Sequence, residues 1–309
     1  MKFRRLGRTG LDVSVVGVGT WQLGGEWGKD FTQREADEIL GRARDLGMNL
    51  VDTAECYGDH LSENLVGKAI AHDRDHWVVA TKFGHRYLGD GRRRNEWSPA
   101  EVVAQLERSL RALGTDHVEL YQFHSGGDDV FDNDELWDAL AAQKQAGKVR
   151  HFGISLGDNT APHQTQRATD LGADVVQVIY SRLDQEPEQA VFPACLDQDL
   201  GVLAREALAS GLLSGKYAPG TRFTDPSDTR SGRDETHTEN RLQEVRRIAE
   251  EELPAGVDMA AWALAWVLQH PAVTAVIPGC KSAAQVEANA SAADLDLVVD
   301  NHPQAGPQA

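Results

Sequence analysis

Four side chains with usable chemistry stand at or just beyond the ends of short apolar runs: Asp52, Tyr57, Lys82 and His124. An unperturbed phenol is a poor acid near neutrality, with a pKa of about 10. A neighbouring ammonium favours the phenolate and lowers that value. Lys82 could supply the ammonium, Asp52 could hold it charged and in place, and His124 could hydrogen-bond and orient a carbonyl oxygen. Such a set is a proton donor beside a polarised C=O. Each residue alone is commonly structural: an Asp as a cap, a His as a buried polar group, a Tyr in a Tyr-Gly turn. Their joint appearance at three adjacent strand ends is what points to catalysis.

The elements that must position them follow from hydrophobic pattern. Apolar runs rich in Val, Ile and Leu cover residues 15–18, 49–51, 77–81, 118–123, 150–154, 175–179, 201–204 and 274–277. Near-continuous hydrophobicity suits strands buried on both faces of a parallel sheet. Between them lie segments with helical spacing at 32–46, 63–71, 98–113, 134–145, 161–171, 188–197, 239–252 and 259–269. Thr32 with Glu35 forms a capping box, Ser98-Pro99 opens a helix, and Gly114 ends it. Eight strand–helix alternations predict an α/β fold, a (β/α)8 TIM barrel, as one domain over residues 1–309. A doubly wound sheet would need Gly-x-Gly-x-x-Gly after the first strand, but Gly17-Val18-Gly19 continues Thr20-Trp21-Gln22. Residues 2–14 read as an N-terminal hairpin, 218–237 as a long loop after strand seven, and 301–309 as a loosely ordered polar tail.

Composition narrows the function. The chain has 309 residues and a formal net charge of −17, which argues against nucleic acid or an anionic membrane surface as partner. No apolar run approaches the roughly 18 residues of a membrane span. The N-terminus lacks the apolar stretch of a signal peptide. Three widely spaced cysteines without a CxxC pair suit a reducing cytoplasm. Asp52 and His124 alone make no metal ligand set, so no metal is expected. Nothing fixes an oligomeric state.

A second group of residues reads as a cradle for a phosphate-bearing cofactor. Gln177 on strand six can pair with a carboxamide, and Ser155 ends strand five. Residues 208–217 read Leu-Ala-Ser-Gly-Leu-Leu-Ser-Gly-Lys-Tyr, two glycines and two serines beside a lysine, fit for a pyrophosphate. Strand eight ends Ile277-Pro278-Gly279-Cys280-Lys281-Ser282 and opens a helix, where Lys281 is placed for a phosphate monoester.

Taken together, Gly19-Thr20-Trp21, Asp52-Thr53-Ala54-Glu55-Cys56-Tyr57-Gly58, Ser62-Glu63, Thr81-Lys82 and Gln122-Phe123-His124 resemble the aldo-keto reductases over nearly the whole chain. The resemblance implies a barrel that uses NAD(P)H without a Rossmann fold. Tyr57 would be the general acid, Lys82 would lower its pKa, Asp52 would orient Lys82, and His124 would position a small carbonyl substrate. It also implies a dinucleotide site. Gly19, Thr20, Trp21 and Asp52 would line it with Ser155, Gln177 and Arg205. Ala207, Leu208, Ser210, Gly211, Leu213, Gly215 and Lys216 would hold the pyrophosphate. Gly279, Lys281, Gln285 and Asn289 would hold the adenosine end, the cation favouring NADPH. Leu156 stands where the family has Asn, Arg205 where an aromatic stacks on nicotinamide, Glu206 where Ser is common, and Ala288 for a frequent Glu. Glu206 is expected to turn away or pair with Lys216 or Arg205, and the short tail implies an open substrate site. Trp21, Trp27, Tyr87 and Trp97, with Tyr57 and His124, are the expected pocket walls and favour aromatic or apolar carbonyls. A slow redox-sensing regulatory subunit that binds NADPH is the alternative reading. A Schiff-base lyase on Lys82 is disfavoured by Asp52, whose carboxylate keeps the amine protonated.

Overall fold

A computed structural model describes residues 1–89, 92–157, 159 and 162–305. Eight parallel strands form one sheet in the order β12-β11-β10-β9-β8-β5-β4-β3. They are β3 (Val18–Gly19), β4 (Leu50–Asp52), β5 (Val78–Phe83), β8 (Val118–His124), β9 (Val149–Ser155), β10 (Ala173–Ile179), β11 (Gly201–Arg205) and β12 (Ala275–Val276). The two ends of the sheet meet. Gly17 N–H donates to Val276 O at 2.8 Å, Val276 N–H to Val15 O at 2.9 Å, and Gly19 bridges Gly279 in parallel. Closure removes both edges, and the fold is a (β/α)8 barrel.

The helices follow the strands: α1 (Gln33–Asp45), α2 (Leu61–Ile70), α3 (Pro99–Leu113), α4 (Asp128–Phe131), α5 (Asp134–Gln145), α6 (His163–Gln166), α7 (Val191–Asp197), α8 (Glu235–Glu251), α9 (Met259–Leu268) and α10 (Ala283–Ala290). Thr32 and Glu35 form the expected capping box on α1. Ser98, Pro99 and left-handed Gly114 bound α3 as read from the sequence. The barrel interior is filled by Leu50, Val78, Ala80, Leu120, Val175, Leu203 and Ala275. Its floor is the N-terminal hairpin, β1 (Phe3–Arg5) with β2 (Asp12–Ser14), whose Leu6 and Val13 join that cluster. Gly7 at the turn has φ +51°, and a Cβ there would lie 2.0 Å from Gly201 N. Only glycine lets the hairpin seat against the strand.

Four expectations need revision. The helix read over 161–171 (residue 161 lies outside the described residues) is only the four residues of α6, then a 3₁₀ turn at Thr169–Leu171. Gln164, Thr165 and Ala168 are its buried positions, too thin an apolar face to hold a longer helix. The loop read over 218–237 is shorter, because Asp234 caps α8 at 2.6 Å through His237 N–H. The tail is not loose over 301–305: His302 and Gln304 are buried, Arg5 N–H donates to Gln304 O at 2.7 Å, and Gln304 Nε2 donates to Leu200 O at 3.1 Å. Residues 306–309 lie outside the described residues. Between β5 and α3 there is also an unexpected hairpin, β6 (His85–Gly89) with β7 (Arg92–Asn95). Among the described residues no helix is long and apolar enough to cross a membrane.

Candidate active site

The carboxyl ends of β3, β4, β8, β10 and β11 and the segment just after β12 open into one cavity of about 460 Å³, at the end of the barrel where function is built in this architecture. Asp52 ends β4, Lys82 lies in β5, and Tyr57 follows on the turn that leads to α2. Lys82 Nζ is 2.7 Å from Asp52 Oδ2, donates to Thr53 O at 2.7 Å, and lies 3.2 Å from Tyr57 Oη. Asp52 Oδ1 accepts from Gln177 Nε2 at 2.7 Å and from Gln122 Nε2 at 3.0 Å. Lys82 is 0% exposed. A buried ammonium is tolerated only with a carboxylate and a full set of acceptors, which is what surrounds it. The His124 ring stands edge-on to Tyr57, centroids 6.5 Å apart. The four residues singled out by type therefore meet at one wall.

The electrostatics differ from the expectation in one respect. Burial pushes the Tyr57 phenol up to about 12, with Lys82 pulling down and Asp52 and Cys56 adding to the rise. The predicted net depression by Lys82 is not found, because desolvation of the phenolate outweighs the ammonium. Tyr57 thus holds its proton throughout the neutral range. Burial pulls Lys82 down, but the Asp52 carboxylate leads the opposing effects and the net is a raised pKa. His124 is held well below the ordinary imidazole value, by burial first, then by the charges of Lys82, His85, Arg205 and Arg93. Neutral imidazole carries one N–H donor.

The cofactor side is built from loop. After β11 the backbone enters the left-handed region at Glu206, Ala209, Ser210, Gly211 and Gly215. The turn is braced by its own backbone, Ala209 N–H donating to Glu206 O at 2.6 Å and Gly211 N–H to Leu208 O at 2.9 Å. Glu206 lines the cavity and pairs with Arg205 (3.2 Å), one of the two expected partners, while accepting from Ser210 Oγ (2.8 Å). Lys216, Lys281 and Arg230 line the same cavity. Residues 226–232 close over it: Trp27 bridges Asp228, Gly28 N–H donates to Ser227 O at 3.0 Å, and Asp228 binds Arg230 Nη2 at 2.7 Å. Lys281 Nζ donates to Trp27 O at 2.6 Å. Three buried polar atoms of wall residues lack a protein partner, Gln22 Oε1, Trp27 Nε1 and Arg205 Nε. Ser210 and Gly211 of the loop, three cationic side chains and unpaired polar atoms in one cleft fit a phosphate-bearing dinucleotide.

Most predicted cofactor residues line this cavity: Gly19, Thr20, Trp21, Asp52, Gln177, Arg205, Ala207, Leu208, Ser210, Gly211, Lys216, Gly279, Lys281, Gln285 and Asn289. Three lie behind the wall. Ser155 bonds Gln177 Oε1 from beneath at 3.2 Å, Leu213 is fully buried in the core under the loop, and Gly215 caps the turn against Met259. On the substrate side Trp21 and Trp27 are lining residues, their rings 5.1 Å apart at 88°. Tyr87 and Trp97 are not: Trp97 packs on Phe123 at 4.6 Å and covers Gly84. Their places are taken by His85 and Arg93 from the β6–β7 hairpin. His85 lies 4.7 Å from His124 between ring centroids, and Arg93 Nη2 is paired with Glu26 at 2.6 Å. The wall is more polar than an aromatic box. The sequence signal for it was an Asp-Gly dipeptide at 90 and 91, positions that lie outside the described residues.

A family model described as "Aldo/keto reductase family" matches residues 15–304. The chain belongs to the aldo/keto reductase family. It is 32% identical to the uncharacterized oxidoreductase YqkF of Bacillus subtilis, over 99% of this chain and 95% of that one. It is 29% identical to the NADH-specific methylglyoxal reductase of Escherichia coli, over 96% and 95%. Among solved structures, the aldo-keto reductase AKR11C1 from Bacillus halodurans in its holo form superposes with a TM-score of 0.81 at 31% identity, covering 98% of this chain and 94% of that one. As an aldo/keto reductase the chain is an oxidoreductase of a family that uses NAD(P)H.

Proposed function

We propose that this aldo/keto reductase reduces aldehydes or ketones to alcohols with NADPH, using Tyr57 as general acid. The observation that carries the reading is the continuous chain Asp52–Lys82–Tyr57 beside His124 in the cavity. Bound reduced nicotinamide would supply the hydride. His124, kept neutral by its surroundings, donates an N–H to the carbonyl oxygen and fixes the orientation of the C=O. As charge develops on that oxygen, Tyr57 passes it the phenolic proton. The phenolate left behind is stabilised by Lys82, whose own charge Asp52 maintains. Tyr57, with its pKa at about 12, is loaded with a proton at any physiological pH, which suits reduction. The same height makes the reverse step, removal of a proton from an alcohol, dependent on a ligand that desolvates or repositions the site.

Lys281, with Gln285 and Asn289, would hold the adenosine end, and its cation favours the 2′-phosphate of NADPH. A relative at 29% identity is named for NADH specificity, so the choice between the two cofactors separates this chain from that one. Gln177 would take the carboxamide. Replacing Tyr57 by Phe should lower turnover of an aldehyde by roughly 10² or more, while NADPH binding, read by fluorescence titration, stays intact. Undiminished turnover in that variant would refute the assignment.

A further inference from the structure

The same wall carries groups that the steps above do not use. Glu55, on the turn after β4, is 4% exposed. One of its oxygens accepts from His85 N–H at 3.0 Å. The other, Oε2, is buried with no hydrogen-bond partner. Cys56 beside it is 1% exposed, and its Sγ lies 4.0 Å from His124 Nδ1. A carboxylate oxygen of Glu55, the sulfur of Cys56 and a ring nitrogen of His124 all lie within 4.8 Å of one another, and among the described residues no other trio of His, Cys, Asp and Glu does so.

We propose that Glu55, Cys56 and His124 form a binding site for a borderline-soft divalent cation, Zn²⁺ above all, whose occupation blocks the carbonyl site. Carboxylate, thiolate and imidazole are the donors zinc takes, whereas Mg²⁺ and Ca²⁺ want oxygens throughout. Zinc bonds of about 2.0–2.3 Å set neighbouring donors in a tetrahedron roughly 3.3–3.6 Å apart. The trio, its atoms within 4.8 Å of one another, therefore closes by about 1.5 Å or less, within reach of side-chain rotation. Asp52, which lines the same cavity, is committed to Lys82. Cys56 and His124 line the cavity, so the fourth position opens toward the substrate, an arrangement of three protein ligands and one exchangeable one. Coordination breaks the Cys56 S–H bond, forms S–Zn and releases that proton to solvent. Glu55 enters as carboxylate, giving up its proton in the same way, and His124 enters as neutral imidazole. No electrons change hands. Arg93 beside Cys56 and Lys82 behind it oppose the incoming charge, so the site binds less tightly than a structural zinc site and empties with chelator. An ion on this wall, with its exchangeable position toward the substrate, fills the space the carbonyl needs and stays clear of the loop after β11 that builds the dinucleotide cleft.

The binding half stands on geometry alone; the inhibition half rests on the proposed carbonyl reduction. Co²⁺ titrated into the full chain reads the first half, through the thiolate-to-metal charge-transfer band. We expect one Co²⁺ per chain with that band in wild type and in Cys195→Ser, and affinity weaker by about tenfold or more in Cys56→Ser and in Glu55→Gln. Zn²⁺ then competes with aldehyde but not with NADPH, each variant being compared with its own metal-free rate, and the Cys56→Ser inhibition constant rises by a similar factor. A wild type without the band, a band that survives in Cys56→Ser, or one lost in Cys195→Ser overturns the site. Should Glu55→Gln fail to fold, Cys56→Ser carries the test. A band in a protein that reduces no carbonyl leaves the site standing and sinks the catalytic reading; active enzyme without a band does the reverse.

Discussion

The two halves of the cavity are made in different ways. Asp52 and Lys82 lie on strands, are wholly or nearly buried, and are fixed by hydrogen bonds of 2.7 Å that tie β4 to β5 and, across the barrel, to Gln177 of β10. Across the cavity, the cofactor half is loop: a left-handed stretch from 206 to 215, and a strap held by Trp27, Asp228 and Arg230 that is partly open to solvent. The strand half is suited to hold atoms to a fraction of an ångström for proton transfer. The loop half is suited to admit and release a large ligand. In one barrel, precision and access are thus assigned to different kinds of backbone.

Lys82→Met tests the contrast most severely. Removing the cation leaves the Asp52 carboxylate buried without a partner charge, which should cost about 3–5 kcal/mol of stability, and it removes support for a Tyr57 phenolate. Turnover should fall by at least the factor expected for Tyr57→Phe, and denaturant unfolding should shift to lower midpoint. A variant that stayed as stable as wild type would show that the strand half is less tightly held than its distances imply. In the loop half the effects should be smaller and confined to binding. Lys281→Ala should weaken NADPH by about tenfold, roughly 1.4 kcal/mol, and leave NADH nearly unchanged, as fluorescence titration would read. Equal affinities for both cofactors in wild type would dissolve that assignment. Asp228→Ala leaves Arg230 without its carboxylate partner and loosens the strap, and we expect it to raise the cofactor off-rate by about threefold to tenfold with little change in on-rate, measured by stopped flow. A slower release would mean the strap obstructs rather than retains.

The smallest effect belongs to neither half. His302, in the floor, is pushed down to about 4 by burial and then by the charge of Arg4, and its Nδ1 accepts from Gln304 N–H at 3.1 Å. Unfolded, the same ring takes up a proton near 6.5. Between those values the unfolded chain binds more protons, so stability falls as pH drops from about 6.5 to about 4. Thermal melts of His302→Asn should decline less over that window. Parallel curves for the two proteins would remove His302 from the acid response.

What the sequence disclosed, and what it withheld, follows the same division. Barrel strands advertise themselves because burial on both faces demands unbroken runs of Val, Ile and Leu, and a polar residue closing such a run, as Asp52 or His124 does, is visible without a structure. His85 and Arg93 were missed because their hairpin is polar on both faces, and pairing alone brings them to the cavity. Ser210 and Glu206 gave no hint of positive φ, a conformation that side-chain type rarely betrays. Trp97 looked like a pocket wall and instead caps Gly84, where a Cβ would lie 1.9 Å from the indole. The acidity of Tyr57 was misjudged for a physical reason. Residue spacing tells which charges are near, but not how much water has been removed.

Gln304 joins three distant stretches of chain, through Arg5, Leu200 and Thr274. During synthesis on the ribosome, strands made first must wait for that residue to emerge before the cylinder can be sealed from below. Until β12 has emerged, a few tens of residues earlier, the edges of β3 and of the growing sheet stay unpaired, open to other nascent chains. Yield in a crowded cell should therefore depend on how fast the last stretch of message is translated, a property written in codons rather than in side chains.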